Sequence, residues 1–209
     1  MQKRIFDIFF SITGLIVFMP LFVLVSILIK IESKGTVLFT QIRIGKNFKP
    51  FNLYKFRSMV TDAAKMGPPI TTGNDTRITK TGRFLRKTKI DELPQLFNVL
   101  KGDMSFVGPR PELLQYVEKF QKEYEEILVV KPGITDLASL KYRDETSILG
   151  GTKEPEKEYI CRILPEKIRL AKEYLKRSSL ILDLSIIFKT LIKLVIIKEI
   201  LLTSSIHNY

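Results

Sequence analysis

The chain has 209 residues, 34 of them Lys or Arg and 22 Asp or Glu, which gives a net charge of +12. Hydrophobic residues make up 45% and charged residues 27%, a balance that excludes a disordered chain and a polytopic membrane protein. The single Cys, Cys161, excludes an internal disulfide and fits a reducing compartment, and the single His, His207, argues against a His-ligated metal cluster or a His-based triad.

Residues 8–29 carry no charge. A straight helix of that length would measure about 33 Å, enough for the hydrocarbon core of a bilayer. Pro20 interrupts it, removing a helical hydrogen bond and pushing Met19 away from helical angles. Two helical pieces of about 12 and 9 residues joined by a bend are expected. Lys3 and Arg4 precede the segment, and Lys30 and Lys34 follow it. Positive charge marks the cytoplasmic side, so a helix–break–helix that enters and returns satisfies both flanks, whereas a spanning helix satisfies one. The long apolar run without a small-residue cleavage site speaks against a signal peptide.

Residues 37–44 and 51–56 read as strands around a Gly45-Lys46-Asn47 turn, and residues 67–76 (GPPITTGNDT) read as a loop. Residues 82–88 read as a short helix. Residues 92–100 read as a better one, with Asp91 as its cap, Pro94 in its first turn and Gly102 just past its end. Residues 102–112 read as a rigid loop. A charged amphipathic helix over 113–130 is stopped by Lys131-Pro132-Gly133, and another helix covers 165–176. In the apolar but interrupted segment 180–202, Asp183, Ser185, Lys189, Thr190 and Lys193 share one helical arc. Leu184, Ile187, Phe188, Leu191 and Val195 share the opposite arc. Such a helix either lies in a membrane interface or packs on the core. The expected organisation is a membrane segment over 1–34, a catalytic domain over 35–178 and a C-terminal helix over 179–209.

Charge is concentrated in residues 41–110, with 14 basic against 5 acidic groups. Such a field suits a polyanion, a phosphorylated ligand or an anionic membrane, or it is simply a solvated face. Within it stand the adjacent carboxylates Asp91 and Glu92. Acidic residues at a helix start ordinarily cap it and suit its dipole. Here Arg77, Lys80, Arg83, Arg86, Lys87 and Lys89 precede them, and Arg110 follows between Pro109 and Pro111. Arg matches phosphate oxygens bidentately, and carboxylates among cations are expected to have depressed pKa values. Ionised, they could attack phosphorus if a cation such as Mg²⁺, held by Asp91 and Glu92, offset the repulsion. These residues point to phosphoryl chemistry at a membrane surface.

Residues 91–112 read DELPQLFNVLKGDMSFVGPRPE, with Lys55-Phe56-Arg57-Ser58-Met59 and Gly82-Arg83-Phe84-Leu85-Arg86-Lys87 upstream and Lys131-Pro132-Gly133-Ile134-Thr135 downstream. This order of motifs resembles the bacterial sugar transferase family, specifically its small monotopic phosphoglycosyl transferases, over essentially the whole chain. The resemblance implies an α/β, mostly helical cytoplasmic domain with an N-terminal re-entrant, Pro-broken membrane helix and interfacial amphipathic helices, on the cytoplasmic face of the bacterial inner membrane. It implies transfer of a sugar-1-phosphate from a UDP-sugar to undecaprenyl phosphate, releasing UMP, with Asp91 as nucleophile and Glu92 as its partner in the dyad. Arg86 would hold phosphate, and the Pro109-Arg110-Pro111 loop would engage the nucleotide. Lys55 and Arg57 would support the site or serve the fold. The family breaks its membrane helix at a Ser-Pro pair, for which this chain has Met19-Pro20. It also departs at Thr135-Asp136-Leu137, where many relatives have glycine after the threonine. A membrane-tethered nucleotide-binding protein or scaffold without catalysis would not need both Asp91 and Glu92. A nucleic-acid partner is not expected, since the sequence holds no zinc pattern and no aromatic-interleaved basic strand. Tyr142, Arg143, Asp144 and Glu145 form a polar cluster that either touches the sugar or is a surface patch.

Overall fold

The computed structural model describes residues 2–206 apart from 69, 73, 74 and 144, and their side chains except at 64 and 195–206. Among these residues the chain is mostly helical with two small sheets, compatible with the α/β class. Helices α1 (Gln2–Val17) and α2 (Met19–Glu32) meet at a 59° bend. The break falls at Phe18 (φ −88°, ψ 4°), so the pieces are 16 and 14 residues long instead of the shorter pair expected. The first turn of a helix tolerates proline because its missing N–H has no partner to lose, and Met19-Pro20 therefore opens α2 with Met19 itself helical. Among the described residues no single helix is long and apolar enough to cross a membrane; the bent pair together passes that test.

Helix α1 buries its polar residues and exposes apolar ones. Asp7 and Ser11 are buried, while Phe9, Ile16 and Val17 are more than 60% exposed. Both ends of the α1–α2 pair are fastened to the rest of the protein. At the start, Lys3 donates to the Val107 carbonyl and pairs with Asp183 at 2.7 Å. At the finish, Arg57 donates to the Ser33 and Lys34 carbonyls.

Strands β1 (Leu38–Ile44) and β2 (Pro50–Phe56) form an antiparallel hairpin, from Leu38 opposite Phe56 to Ile44 opposite Pro50. Helices α3 (Lys80–Thr88) and α4 (Gln95–Lys101) follow. The expected loop over 102–112 contains strand β3 (Ser105–Val107), which pairs in parallel with β4 (Gly133–Thr135). Three residues are too few to show an alternating pattern in the sequence. The approach needs glycine, since a Cβ on Gly133 would stand 2.1 Å from the Gly108 nitrogen. The charged helix expected over 113–130 is broken at Phe120 (φ −130°, ψ 41°) into α5 (Leu114–Lys119) and α6 (Gln121–Ile127). From that kink Phe120 packs against the main core, which Tyr116, Val117, Tyr124 and Ile127 share with Ile163, Leu164 and Ile168.

Short helices α7 (Leu137–Lys141), α8 (Glu145–Gly150) and α9 (Pro155–Glu158) lead through a π turn at Tyr159–Ile163 into α10 (Leu164–Arg177). Helix α11 (Leu180–Ile206) packs on β3, β4 and α7. Its polar arc turns inward at Asp183 and Thr190, while Lys189 and Lys193 stay exposed. Asp183 accepts from the Tyr174 hydroxyl at 2.7 Å, and the Thr190 and Thr135 hydroxyls bond at 2.8 Å. Its apolar arc turns outward at Leu184, Phe188 and Leu191, while Ile187 is half-buried beside Val107 and Ile186. The Val195 side chain lies outside the described residues.

Candidate functional site

The site is built where α3 hands over to α4. Leu85 of α3 is fully buried against Val25 and Ile29 of α2 and Phe56 of β2, and Ile90 and Leu93 pack on the same cluster. Lys89 takes a left-handed conformation (φ 60°) that ends α3, and Ile90–Glu92 forms a 3-10 turn. Asp91 is therefore not the helix cap the sequence suggests. Helix α4 starts at Gln95 with Pro94 before it, and no side chain caps it. Asp91 is 5% exposed, and its Oδ1 is buried without a hydrogen-bond partner.

Glu92 has the opposite fate. Its Oε1 accepts from Lys55 Nζ at 2.9 Å and from Arg110 Nη2 at 2.8 Å. The electrostatics divide accordingly, which corrects the expectation that both carboxylates are depressed. Burial pushes the Asp91 carboxyl up, and the neighbouring Glu92 charge adds to that. Glu92 is held well below the usual carboxylate range because Arg110 and Lys55 outweigh its own burial. Glu92 in turn raises the Arg110 guanidinium, while burial lowers the Lys55 ammonium against the pull of Glu92.

Arg86 stands on the last turn of α3. Its Nη2 donates to the Thr71 hydroxyl at 3.2 Å, and its Nη1 is buried without a partner. Burial lowers this guanidinium, and Asp91 is the largest charge opposing that shift. Two orphaned groups of opposite sign, Arg86 Nη1 and Asp91 Oδ1, thus sit within reach of each other's field.

Arg110 is held in a clamped loop. Its backbone N–H donates to Asp136 Oδ2 at 3.3 Å, and Pro109 accepts from Gly133 N at 3.0 Å. The Pro111 carbonyl accepts from Arg43, and buried Glu112 accepts from the Tyr159 hydroxyl at 2.7 Å. The structure therefore brings Asp91, Glu92, Arg86, Arg110 and Lys55 together, with Pro109 and Pro111 shaping the loop. Arg57 is not among them. Its guanidinium donates to the Lys34 and Ser33 carbonyls and the Ser33 hydroxyl, capping the end of α2. Met19 and Pro20 lie at the helix bend, and Met19 is exposed. In the polar cluster, Glu145 pairs with Lys167 at 2.6 Å, and Asp144 lies outside the described residues.

Sequence reasoning missed several supporting residues. Asn98 Oδ1 accepts from Tyr54 N at 3.0 Å and its Nδ2 donates to the Asn52 carbonyl at 2.7 Å, fastening α4 to the strand that carries Lys55. An Asn inside an amphipathic helix is a poor helix former, and that was the available signal. Asp136 stood out only as a departure from the family pattern, and Thr71 gave no local signal.

Among the described residues no group of three acidic, His or Cys side chains gathers as a metal cage. Mg²⁺ commonly takes one or two carboxylates and completes its shell with water and substrate phosphate oxygens. The unpartnered Asp91 Oδ1 beside Glu92 suits that mode.

Comparison with known proteins gives the family. The family model described as bacterial sugar transferase matches residues 1–197. A Bacillus subtilis protein whose name pairs undecaprenyl phosphate with N-acetylgalactosaminyl 1-phosphate transfer is 54% identical over 121 residues, 58% of this chain and 68% of that one. An exopolysaccharide production protein of Rhizobium leguminosarum is 41% identical over 199 residues, 91% of this chain and 93% of that one. A UDP-glucose:undecaprenyl-phosphate glucose-1-phosphate transferase of Klebsiella pneumoniae is 40% identical over 195 residues, 91% of this chain but 39% of that one. The chain belongs to the bacterial sugar transferase family.

Proposed function

We propose that the chain transfers a sugar-1-phosphate from a UDP-sugar to undecaprenyl phosphate, an initiating step of bacterial glycoconjugate assembly. An Asp91 oxygen attacks the β-phosphorus, the bond from phosphorus to the bridging oxygen breaks, and UMP leaves. The phosphosugar stays on Asp91 as a mixed anhydride. A phosphate oxygen of the lipid then attacks the same phosphorus, frees the carboxylate and forms the polyprenol diphosphate sugar. The two steps replace one difficult displacement. The observation that carries this reading is the buried, unpartnered Asp91 Oδ1 in the field of Arg86, whose Nη1 is also buried and unpartnered. A carboxylate oxygen without donors is free to form a bond, and a guanidinium nitrogen without an acceptor is ready for phosphate. Glu92 keeps Lys55 and Arg110 at the same place, where they meet the remaining phosphate charge. Asp91 and Glu92 would hold Mg²⁺, which when bound supplies charge neutralisation between carboxylate and diphosphate.

We further propose that α1 and α2 form a re-entrant pair in the cytoplasmic leaflet. This reading is supported by the bend, the exposed apolar side chains and the attachment of both ends to one protein body. The outward apolar arc of α11 would lie in the same interface.

UMP release from the protein in nanodiscs tests the reaction, with Mg²⁺ and a panel of UDP-sugars. Without lipid, one UMP per protein and a phosphosugar adduct on Asp91 by mass spectrometry are expected. With undecaprenyl phosphate, turnover is expected, and Asp91→Asn loses both. An Asp91→Asn variant that keeps wild-type turnover refutes the covalent route.

A further inference from the structure

Glu32, the last residue of α2, reaches across to α3. Its Oε1 accepts from Lys80 N at 2.6 Å and its Oε2 from Thr81 N at 2.8 Å. The next amide, Gly82 N, donates to the Thr79 hydroxyl at 2.9 Å. The first three amides of α3, which a helix leaves without internal partners, are thus all satisfied, two of them by another helix. The junction is reciprocal. Glu32 caps the start of α3, and Arg57 at the end of β2 caps the finish of α2. Beneath it, Val25 and Ile29 of α2 pack on Leu85, with Ile90 and Leu93 alongside, so the residues flanking Arg86 and the Asp91–Glu92 turn rest on α2.

Among the described residues Arg86 has little to fix it except α3 itself. Its guanidinium makes one long hydrogen bond, to Thr71, and leaves Nη1 unpaired. It stands six residues beyond Lys80, about 9 Å along the axis, so a small tilt at the start of α3 is carried to the guanidinium as a displacement. A misplacement of about 1 Å is enough to slow a reaction about a hundredfold. We propose that Glu32 is a positioning residue that locks α3 onto α2 and thereby aims Arg86 at the phosphate bound beside Asp91. This inference rests on the function proposed above. It also makes α2, the segment read as membrane-embedded, part of the support of the catalytic turn. A carboxylate that merely caps an exposed helix would leave Arg86 and the rate unaffected.

The test combines kinetics with amide hydrogen exchange on the full chain in nanodiscs. Glu32→Ala is expected to lower kcat for UMP release between about ten- and a hundredfold with KM for the UDP-sugar little changed. Glu32→Gln, which keeps a carbonyl acceptor, is expected to restore most of it. In an Arg86→Lys background Glu32→Ala should add no further loss, as expected if it acts through Arg86. Faster exchange in Glu32→Ala should extend from residues 80–82 through residues 86–92. Faster exchange confined to 80–82, an unchanged kcat, or an undiminished penalty in the Arg86→Lys background overturns the proposal. The exchange measurement decides it even if the wild type releases no UMP, an outcome that would sink the proposed reaction instead.

Discussion

Gly82→Ala adds one methyl group to α3 where the helix touches the end of β2. A Cβ on Gly82 would stand 2.0 Å from the Ser58 carbonyl oxygen, and real Cβ contacts are essentially never shorter than 3.0 Å. The obstacle is backbone, and the same carbonyl also accepts from Thr79 N at 3.2 Å, so it cannot swing aside cheaply. Helix α3 therefore has to back away by at least about 1.0 Å. Two energies oppose each other in stability. Overpacking costs about 1–3 kcal/mol, while alanine is favoured over glycine in a helix by about 1 kcal/mol. The net destabilisation is about 0–2 kcal/mol, a shift in Tm of at most about 8 °C at this length. Catalysis has no such offset, because the displaced helix carries Arg86, and a shift of this size is expected to lower kcat about a hundredfold. Thermal unfolding and UMP release on the same nanodisc sample read both quantities. Turnover within twofold of the wild type would refute the claim that α3 sets the phosphate site.

Three further outcomes follow from the geometry. Phe188→Glu on the outward arc of α11 removes a side chain that is 65% exposed, so Tm should hold. Binding to anionic vesicles in a flotation assay should drop about ten- to a hundredfold, the equivalent of about 1.5–3 kcal/mol of lost apolar burial. Glu92→Gln leaves Lys55 and Arg110 without their common anion and should cost about 3 kcal/mol in denaturant unfolding, with loss of turnover. Asp91→Asn should raise the stability of the protein at neutral pH. The folded carboxyl is raised, so its proton is favoured in the folded state, and the wild type loses stability as pH climbs through that raised pKa. The asparagine has no such loss, and its advantage, about 1.4 kcal/mol per unit of the shift, should vanish below the ordinary carboxylate range. A pH series of unfolding curves in which the gap between the two proteins does not close at acidic pH would contradict the burial of Asp91.

The sequence made the outer layout legible because its signals were periodic or covalent. Pro20 inside an apolar run marked the bend, Gly45 to Asn47 marked the hairpin, and polar residues at helical spacing in an apolar run marked α11. What stayed hidden depended on tertiary approach. Strand β3 exists because Gly108 and Gly133 let two backbones meet, and no run of three residues announces that. The helix expected over 113–130 kinks because Phe120 turns to a core built from residues far along the chain. The composition of the site was visible as a cluster of Arg, Lys and two carboxylates. The separation of Asp91 from Glu92 in bonding, and the opposite directions of their pKa shifts, were not, because they depend on which of the two reaches Lys55 and Arg110.

That separation has a local cause in Pro94. If Asp91 capped a helix beginning at Glu92, its side chain would accept from the amide of Leu93 or of residue 94, the second and third helical positions. Residue 94 is proline and has no N–H. The Leu93 N–H is already used, donating to the Ile90 carbonyl at 3.1 Å in the 3-10 turn. Of the two donors that would pacify Asp91 one is missing and the other is engaged, which leaves its Oδ1 without a partner although it is buried. The turn also separates the neighbours. At about three residues per turn, consecutive side chains project about 120° apart. Glu92, with one more methylene, then reaches Lys55 and Arg110, while Asp91 points elsewhere. The proline that looks like a tolerated passenger in a first turn is what keeps one carboxylate of the pair unbonded, and an unbonded carboxylate is what attack on phosphorus requires.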